Sequence, residues 1–298
     1  MTNESTLPST AGEASLRGAW LKGGFVAALT AALYADVVPG MVSIWWNDPG
    51  YSHGLLIPPL ALYIAWMQRP EILATPARGD ARGLWLTGLA CLLFIVGRLG
   101  AEFFLTRVSL VVLIAGLIWT FWGCPRLRKL GFPFFLLLTM VPLPAILYNR
   151  LAAPLQLFAS TVSTGSLQAA GIPVFRDGNI IHLAQNTLGI AEACSGLRSL
   201  LSLAVLALVM GYVWFSHVSL RVVLLALAVP IAIGVNVLRI VGTALVSERS
   251  PALAEGFYHT FSGWLVFLAG FGLLFLTAKG LALLETVSRR QPTWEASP

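Results

Sequence analysis

The chain has 298 residues, of which 57% are hydrophobic and only 11% are charged, and its formal net charge is +6. A soluble domain carries about 25% charged residues, so this composition excludes a water-soluble globular protein and places the chain in a lipid bilayer. Basic loops on the cytoplasmic side of a membrane protein explain the positive charge, which therefore does not indicate nucleic-acid binding.

Eight apolar runs predict an all-α polytopic membrane protein with about eight transmembrane helices, because about 20 apolar residues span a bilayer. The runs lie near residues 20–40, 54–67, 83–98, 103–122, 130–148, 194–215, 220–246 and 258–285. We expect residues 1–16 to be a disordered cytoplasmic N-terminus, which lacks the pattern of a cleaved signal peptide. Residues 17–285 form a single predicted transmembrane domain, and residues 286–298 form a cytoplasmic tail.

The orientation follows from the basic residues. With the N-terminus in the cytoplasm and eight crossings, 12 of the 19 Lys and Arg residues fall in cytoplasmic segments. These are Arg17, Lys22, Arg69, Arg78, Arg82, Arg126, Arg128, Lys129, Arg221, Lys279, Arg289 and Arg290. The opposite orientation would move the basic cluster at 126–129 across the membrane, so both termini are predicted to be cytoplasmic.

The chain between the fifth and sixth runs is less apolar. Residues 149–170 alternate apolar and polar side chains, which predicts an amphipathic helix that lies in the extracytoplasmic interface or packs inside the bundle. Residues 172–175 and 180–183 are predicted strands, joined by a turn at 176–179 that contains Asp-Gly. We expect this small β-hairpin outside the lipid, since an unpaired strand is not stable there. A structural role is the simpler explanation for its His182.

Three polar residues occur at matching ends of the last three runs. Cys194 opens the sixth run, Arg239 lies near the far end of the seventh, and His259 lies near the start of the eighth. Because consecutive membrane helices run in opposite directions, all three fall on one side of the membrane. This coincidence favours a functional site over three unrelated residues.

Each of the three also has a structural explanation. Cys194 could be a small buried hydrophobic residue, as free cysteines often are. Arg239 could extend its head group to the interface, although an arginine at membrane depth costs at least ~2.5 kcal/mol and Asn236 one turn earlier argues against a lipid-facing position. His259 could belong to an interfacial aromatic belt with Tyr258.

Together the three groups fit acyl transfer. Cys194 would be the nucleophile, because a helix N-terminus favours the thiolate, and Arg198 one turn further on could add positive potential. His259 would move the proton as general acid and base, and Arg239 would stabilise the oxyanion or orient the substrate. The chain has no His-Glu-x-x-His zinc motif and no Gly-x-Ser-x-Gly elbow. We therefore predict no metal and no cofactor.

These residues resemble the exosortase/archaeosortase family. The matching motifs are ACSGLRS at 193–199, NVLRI at 236–240 and His259 with Gly263, together with YSHG at 51–54 and GIP at 171–173. The resemblance covers nearly the whole chain. The family's cysteine, arginine and histidine fall on Cys194, Arg239 and His259.

The resemblance implies a multi-pass cysteine protease or transpeptidase of the bacterial inner membrane, with its active site on the periplasmic side. Its partners would be membrane-anchored secreted proteins that end in a PEP-CTERM sorting signal, which is a Pro-Glu-Pro motif, a membrane helix and basic residues. A link to exopolysaccharide export and an unspecified acceptor molecule are also implied. Two alternatives stay open, a hydrolase of the same chemistry and a non-catalytic transporter or scaffold for polysaccharide export.

Overall fold

The computed structural model describes residues 10–184, 186–190, 196–250 and 257–290; at 10–20, 249, 257–260 and 287–290 it describes the backbone alone. The helices are α1 (Thr10–Leu33), α2 (Val37–Asn47), α3 (Ile57–Met67), α4 (Arg69–Ala74), α5 (Gly83–Leu99), α6 (Phe103–Trp122), α7 (Cys124–Lys129), α8 (Gly131–Leu138), α9 (Ala145–Ala169), α10 (Leu197–Trp214), α11 (Val218–Arg249) and α12 (Phe257–Arg290). The strands are β1 (Phe175–Asp177), β2 (Ile180–His182) and β3 (Thr187–Gly189).

The described part of the chain contains four helices long and apolar enough to cross a membrane, namely α6, α10, α11 and α12. Helices α1 and α2 are separated by a short break at which their axes bend by 57°. If the two are counted as one span, the number of spans rises to five. The apolar helices α3 and α5 have only 11 and 17 residues. The prediction of a multi-pass helical protein is therefore confirmed, but eight spans are not, and the predicted orientation, which depends on that number, stays a prediction.

The predicted fifth run at 130–148 is not one helix. Helix α8 ends at Leu138, and α9 begins at Ala145. Pro142 and Pro144 lie between them. A proline has no backbone N–H and disfavours a helical conformation at the residue before it, so two prolines in three residues end the helix. The apolar composition alone did not reveal this break.

The chain divides into two compact units. The first comprises Met1–Asn47 and Leu60–Val141, and the second comprises Asp48–Pro59 and Pro142–Pro298. The first unit is built around the antiparallel pair α5 and α6, whose close approach depends on glycines. A Cβ at Gly116 would lie 2.7 Å from the backbone nitrogen of Thr87, so only glycine allows this distance between the two helix axes.

The second unit contains the bundle of α10, α11 and α12. Its core combines leucines with alanines, which keep the helices close together. The core residues are Leu203, Ala207, Met210, Phe215, Leu224, Ala228, Ala232, Leu274 and Ala278. Helix α11 runs antiparallel to α10 and to α12, so its C-terminal half lies beside the start of both.

Helix α9 packs against α11 and the sheet with its polar face inwards. Ser160, Ser163 and Thr164 are buried, whereas Leu157 and Phe158 are exposed. This arrangement agrees with the predicted helix at 149–170 and favours packing inside the unit over a helix with its polar face in water. Ser160 Oγ donates a hydrogen bond to the Gly178 carbonyl at 3.1 Å, which attaches α9 to the first turn of the sheet.

The predicted hairpin is present, but its first strand was placed too early. Strand β1 begins at Phe175, and its pairing of Asp177 with Ile180 leaves a two-residue turn at Gly178-Asn179. Gly178 has φ +58°, which suits such a turn. A third strand, β3, extends the sheet antiparallel to β2. His182 lies within hydrogen-bond range of the Thr187 hydroxyl at 3.4 Å and stacks on Phe175, as expected for a structural residue.

Candidate functional site at the junction of three helices

Helix α10 begins directly after the segment that carries Cys194. Its N-cap is Gly196, which has φ +54°. A positive φ is strained for residues with a side chain, so glycine is the residue that best permits this entry into the helix. Cys194 itself lies outside the described residues. Gly196, two positions later, lies at the N-terminus of α10, next to α11.

Asn236 on α11 lies against this N-cap. Its side chain is 4% exposed, and a Cβ added to Gly196 would lie 3.2 Å from Nδ2 of Asn236. The amide of Asn236 thus packs closely against the backbone of Gly196. The sequence placed Asn236 beside Arg239 in the same motif. It did not show that Asn236 packs against the start of α10, two residues after Cys194.

Arg239 lies one turn beyond Asn236 and is partly buried. Its guanidinium reaches α12, where a Cβ at Gly263 would lie 3.4 Å from Nη2 and 3.6 Å from Cζ. Gly263 comes one helical turn after His259. The backbone of His259 lies in the first turn of α12, and its side chain lies outside the described residues. The contact therefore places Arg239 beside the helix that carries His259.

Arg198 lies in the first turn of α10, is exposed, and contacts the loop after α2. A Cβ at Gly50 would lie 3.6 Å from Nε of Arg198. The loop has a fixed shape, since Oδ1 of Asp48 accepts a hydrogen bond from the Gly50 N–H at 2.7 Å. Arg198 thus adds a cationic side chain to the first turn of the helix that follows Cys194, and a positive charge would favour a thiolate or an oxyanion there.

The YSHG stretch belongs to the same loop. Residues Ser52–Leu55 form one 3₁₀ turn, and the Tyr51 ring lies 6.3 Å from the Tyr148 ring at the start of α9 and 6.4 Å from the His53 ring. The loop after α2 is therefore part of the second unit, together with the three helices. The sequence analysis identified YSHG at 51–54 as a motif but gave no signal of this packing.

An apolar groove lies between α11 and α12, on the part of α11 that precedes Arg239 and the part of α12 that follows Gly263. Its volume is about 540 Å³. It is lined by Pro230, Ile231, Gly234, Val235, Leu238 and Leu273. Leu238 is 64% exposed, and a Cβ at Gly234 would meet no atom within 4 Å. The groove thus opens to the outside of the unit, and on α11 its lining extends from Pro230 to Leu238, the residue before Arg239 in the chain.

No group of three or more His, Cys, Asp or Glu side chains that could hold a metal ion occurs within the described ranges. The chemistry available from the described residues is that of cations, an amide and a helix N-terminus. These groups can bind and stabilise negative charge, as acyl transfer requires.

Residues 45–276 match the family model described as transmembrane exosortase. The match covers most of the chain, including the loop after α2, the sheet, α10, α11 and the first 20 residues of α12. The chain therefore belongs to the transmembrane exosortase family. Neither a curated protein nor a solved structure matches the chain.

Proposed function

We propose that this protein is a membrane-embedded cysteine protease or transpeptidase that cleaves a PEP-CTERM-type sorting signal from secreted proteins on the periplasmic side of the inner membrane. The observation that carries the proposal is the position of Arg239. Its guanidinium lies against Gly263, one turn after His259, while Asn236 one turn earlier lies against Gly196, two residues after Cys194. One stretch of α11 therefore touches the neighbours of both other residues.

The proposed reaction proceeds through a thioester. His259 removes the proton of the Cys194 thiol, and the thiolate attacks the carbonyl carbon of the scissile peptide bond. Arg239 stabilises the negative charge on the carbonyl oxygen. The C–N bond then breaks, and the departing amine takes the proton from the His259 imidazolium. The substrate stays attached to Cys194 as a thioester.

A second nucleophile releases the product. An acceptor amine attacks the thioester carbon, loses its proton to His259, and the thiolate leaves, which makes the enzyme a transpeptidase. If water attacks instead, the enzyme is a protease. The nucleophile, the proton carrier and the oxyanion stabiliser of both steps are side chains of the protein, and the acceptor amine or water enters as the second substrate, so the proposal uses no cofactor and no metal ion.

The apolar groove offers a place for the membrane helix of the substrate. Gly234 leaves open space in the groove, and small residues of this kind let a second helix approach closely in a membrane. Since the groove extends along α11 as far as Leu238, within one turn of Arg239 along the helix, a helix seated there would present its juxtamembrane segment near the level of the site. Attachment to the same bilayer raises the effective concentration of that segment.

The decisive experiment is co-expression with a tagged PEP-CTERM substrate. We expect the wild type to convert it, Cys194→Ala to leave it full-length in the membrane, and Cys194→Ser to be nearly inactive, because a hydroxyl is much less ionised than a thiol. Cys91→Ala and Cys124→Ala are matched controls, since both are free cysteines elsewhere in the chain, and both should process normally. Processing by Cys194→Ala at the wild-type level would exclude the proposal.

The mass of the product separates the two outcomes of the reaction. A product with a new free carboxyl terminus indicates hydrolysis, and a product with added mass indicates transfer to an acceptor. If polysaccharide export continues in Cys194→Ala cells while no substrate is processed by any variant, the protein instead acts as a transporter or scaffold.

A further inference from the structure

Thr243 on α11 has a side chain unlike those of most other threonines in the described helices. Thr30, Thr87, Thr120 and Thr277 each donate the hydroxyl proton to the carbonyl four residues earlier, at 2.8 to 3.2 Å. Thr243 does not, and its Oγ1 is buried without a hydrogen-bond partner, although the residue is only 3% exposed. A buried hydroxyl without a partner costs about 1–3 kcal/mol. Ser163 and Thr164 on α9 share this property, and Thr243 differs from them in lying on α11, the helix that carries Asn236 and Arg239.

The position of Thr243 connects it with the candidate site. Asn236, Thr243 and Ser247 are spaced by seven and four residues and so lie along one stripe of α11. At one end of the stripe, Asn236 packs against Gly196. At the other end, Ser247 Oγ accepts a hydrogen bond from Nδ2 of Asn186 at 3.0 Å. The stripe thus contacts both ends of the chain segment 186–196, which carries Cys194.

The spacing from Arg239 to Thr243 matches that of an extended peptide. Four residues of an α-helix rise by about 6.0 Å. In an extended chain, carbonyl groups two residues apart point to the same side and are separated by about 6.8 Å. An extended segment that runs along α11 would therefore bring one carbonyl to Arg239 and the second-next carbonyl to Thr243.

We propose that Thr243 Oγ1 donates a hydrogen bond to a main-chain carbonyl of the substrate, two residues from the carbonyl of the scissile bond that Arg239 binds. Thr243 is then a substrate-binding residue that sets the register of the cleaved segment. The inference rests on the proposed function, since it uses the role of Arg239 given there. It adds a recognition group for the peptide backbone, whatever the side chains of the sorting motif.

The test compares Thr243→Val with Thr243→Ser, using purified enzyme in vesicles and a tagged substrate with its membrane helix. Valine has nearly the same shape as threonine but no hydroxyl. We expect Thr243→Val to cleave about tenfold more slowly, and its melting temperature to stay the same or rise, because a buried unpaired hydroxyl is replaced by a methyl group. Thr243→Ser should recover most of the activity.

Thr277→Val is the matched control, because the Thr277 hydroxyl already donates to the Leu273 carbonyl. This substitution should leave cleavage unchanged. Wild-type cleavage by Thr243→Val overturns the proposal. A loss shared by Thr243→Val and Thr243→Ser, with a lower melting temperature in both, also overturns it, since this pattern indicates a structural role. A third test replaces the amide of the proposed acceptor carbonyl by an ester, whose carbonyl is a weaker acceptor. If Thr243→Val slows cleavage of the amide and the ester substrate by the same factor, the hydroxyl does not bind that carbonyl, and the proposal is overturned as well.

A binding measurement distinguishes this proposal from the proposed function. The Cys194→Ala variant should capture uncleaved substrate, and adding Thr243→Val should weaken capture about tenfold. If capture depends on Thr243 but the wild type does not cleave, the binding role stands and the proposed chemistry fails. If Cys194→Ala abolishes cleavage but Thr243→Val changes neither capture nor cleavage, the proposed chemistry stands and the binding role of Thr243 fails.

Discussion

The two units use glycine for different purposes. In the first unit, Gly83, Gly97 and Gly116 lie where α5 and α6 touch, and each would collide with the backbone of the partner helix if it had a Cβ. In the second unit, Gly196 and Gly263 lie against the polar side chains of Asn236 and Arg239. Glycine therefore lets helix backbones touch in one unit and makes room for polar side chains in the other.

This difference indicates where each unit tolerates change. A contact between two backbones cannot relax, so a substitution there acts on stability. A contact with the end of an arginine side chain can relax by a small rotation, but the rotation moves the guanidinium that the proposed reaction uses.

Arg239→Ala should lower cleavage about 100-fold, the usual effect of removing one group that stabilises an oxyanion. Arg239→Lys should also be poor, because an ammonium lacks the planar fork of a guanidinium. Rates from substrate processing in cells or vesicles provide the measurement. Arg98→Lys in the first unit, which keeps a cation for its ion pair with Asp36, should process normally. Normal cleavage by Arg239→Ala would remove that residue from the mechanism.

Gly116→Ala should lower the free energy of unfolding by about 1–3 kcal/mol, because the new Cβ would lie 2.7 Å from the nitrogen of Thr87 and the helices would have to separate. Gly263→Ala should leave the melting temperature nearly unchanged and reduce cleavage several-fold, since its Cβ would only press on the guanidinium of Arg239. Thermal unfolding in detergent and cleavage rates should be measured for both variants. Equal losses of stability would refute the distinction between the units.

Gly234→Leu should reduce cleavage about tenfold without loss of stability. Its side chain would fill the groove next to Arg239 and exclude the membrane helix of the substrate, and leucine is a better helix former than glycine. Gly280→Leu is the matched control, because Gly280 also lies on a long helix with open space around it but outside the groove. Similar cleavage by the two variants would show that the groove does not bind the substrate.

Protonation of Asp80 should have the smallest effect, a mild loss of stability in acid. Its carboxylate accepts hydrogen bonds from the Arg82 N–H and from Nε1 of Trp119, and these bonds hold its pKa below the ordinary value of 3.8. A lowered pKa means that the carboxylate stabilises the fold above pH 3.8, and that this contribution is lost as the pH falls towards the lower folded pKa.

The melting temperature of the wild type should therefore fall more between pH 5 and pH 3 than that of Asp80→Asn. Asp177→Asn, which changes an exposed carboxyl of β1, should follow the wild-type curve. Parallel curves for the wild type and Asp80→Asn would show that the hydrogen bonds of Asp80 do not contribute to stability.

Much of the architecture could be predicted from composition and pattern. The long apolar runs of α6, α10, α11 and α12 predict membrane helices because lipid requires each backbone group to be paired within its own segment. The Asp-Gly pair between two apolar stretches predicts the hairpin, because glycine permits the positive φ that its tight turn at Gly178-Asn179 requires. The break at 139–144 was missed, since it depends on two prolines within a run that is apolar throughout.

The sequence alone determined the class of this protein, since membrane helices and motif spacing are local properties that each segment carries by itself. It also indicated that Arg239 and the segments of Cys194 and His259 share one side of the membrane, because antiparallel threading follows from the order of the spans. Only the tertiary structure decided which side chains meet there. The contacts of Asn236 with Gly196, of Arg239 with Gly263 and of Arg198 with Gly50 depend on how the helices rotate and pack, and such distances are set by side chains far apart in the chain.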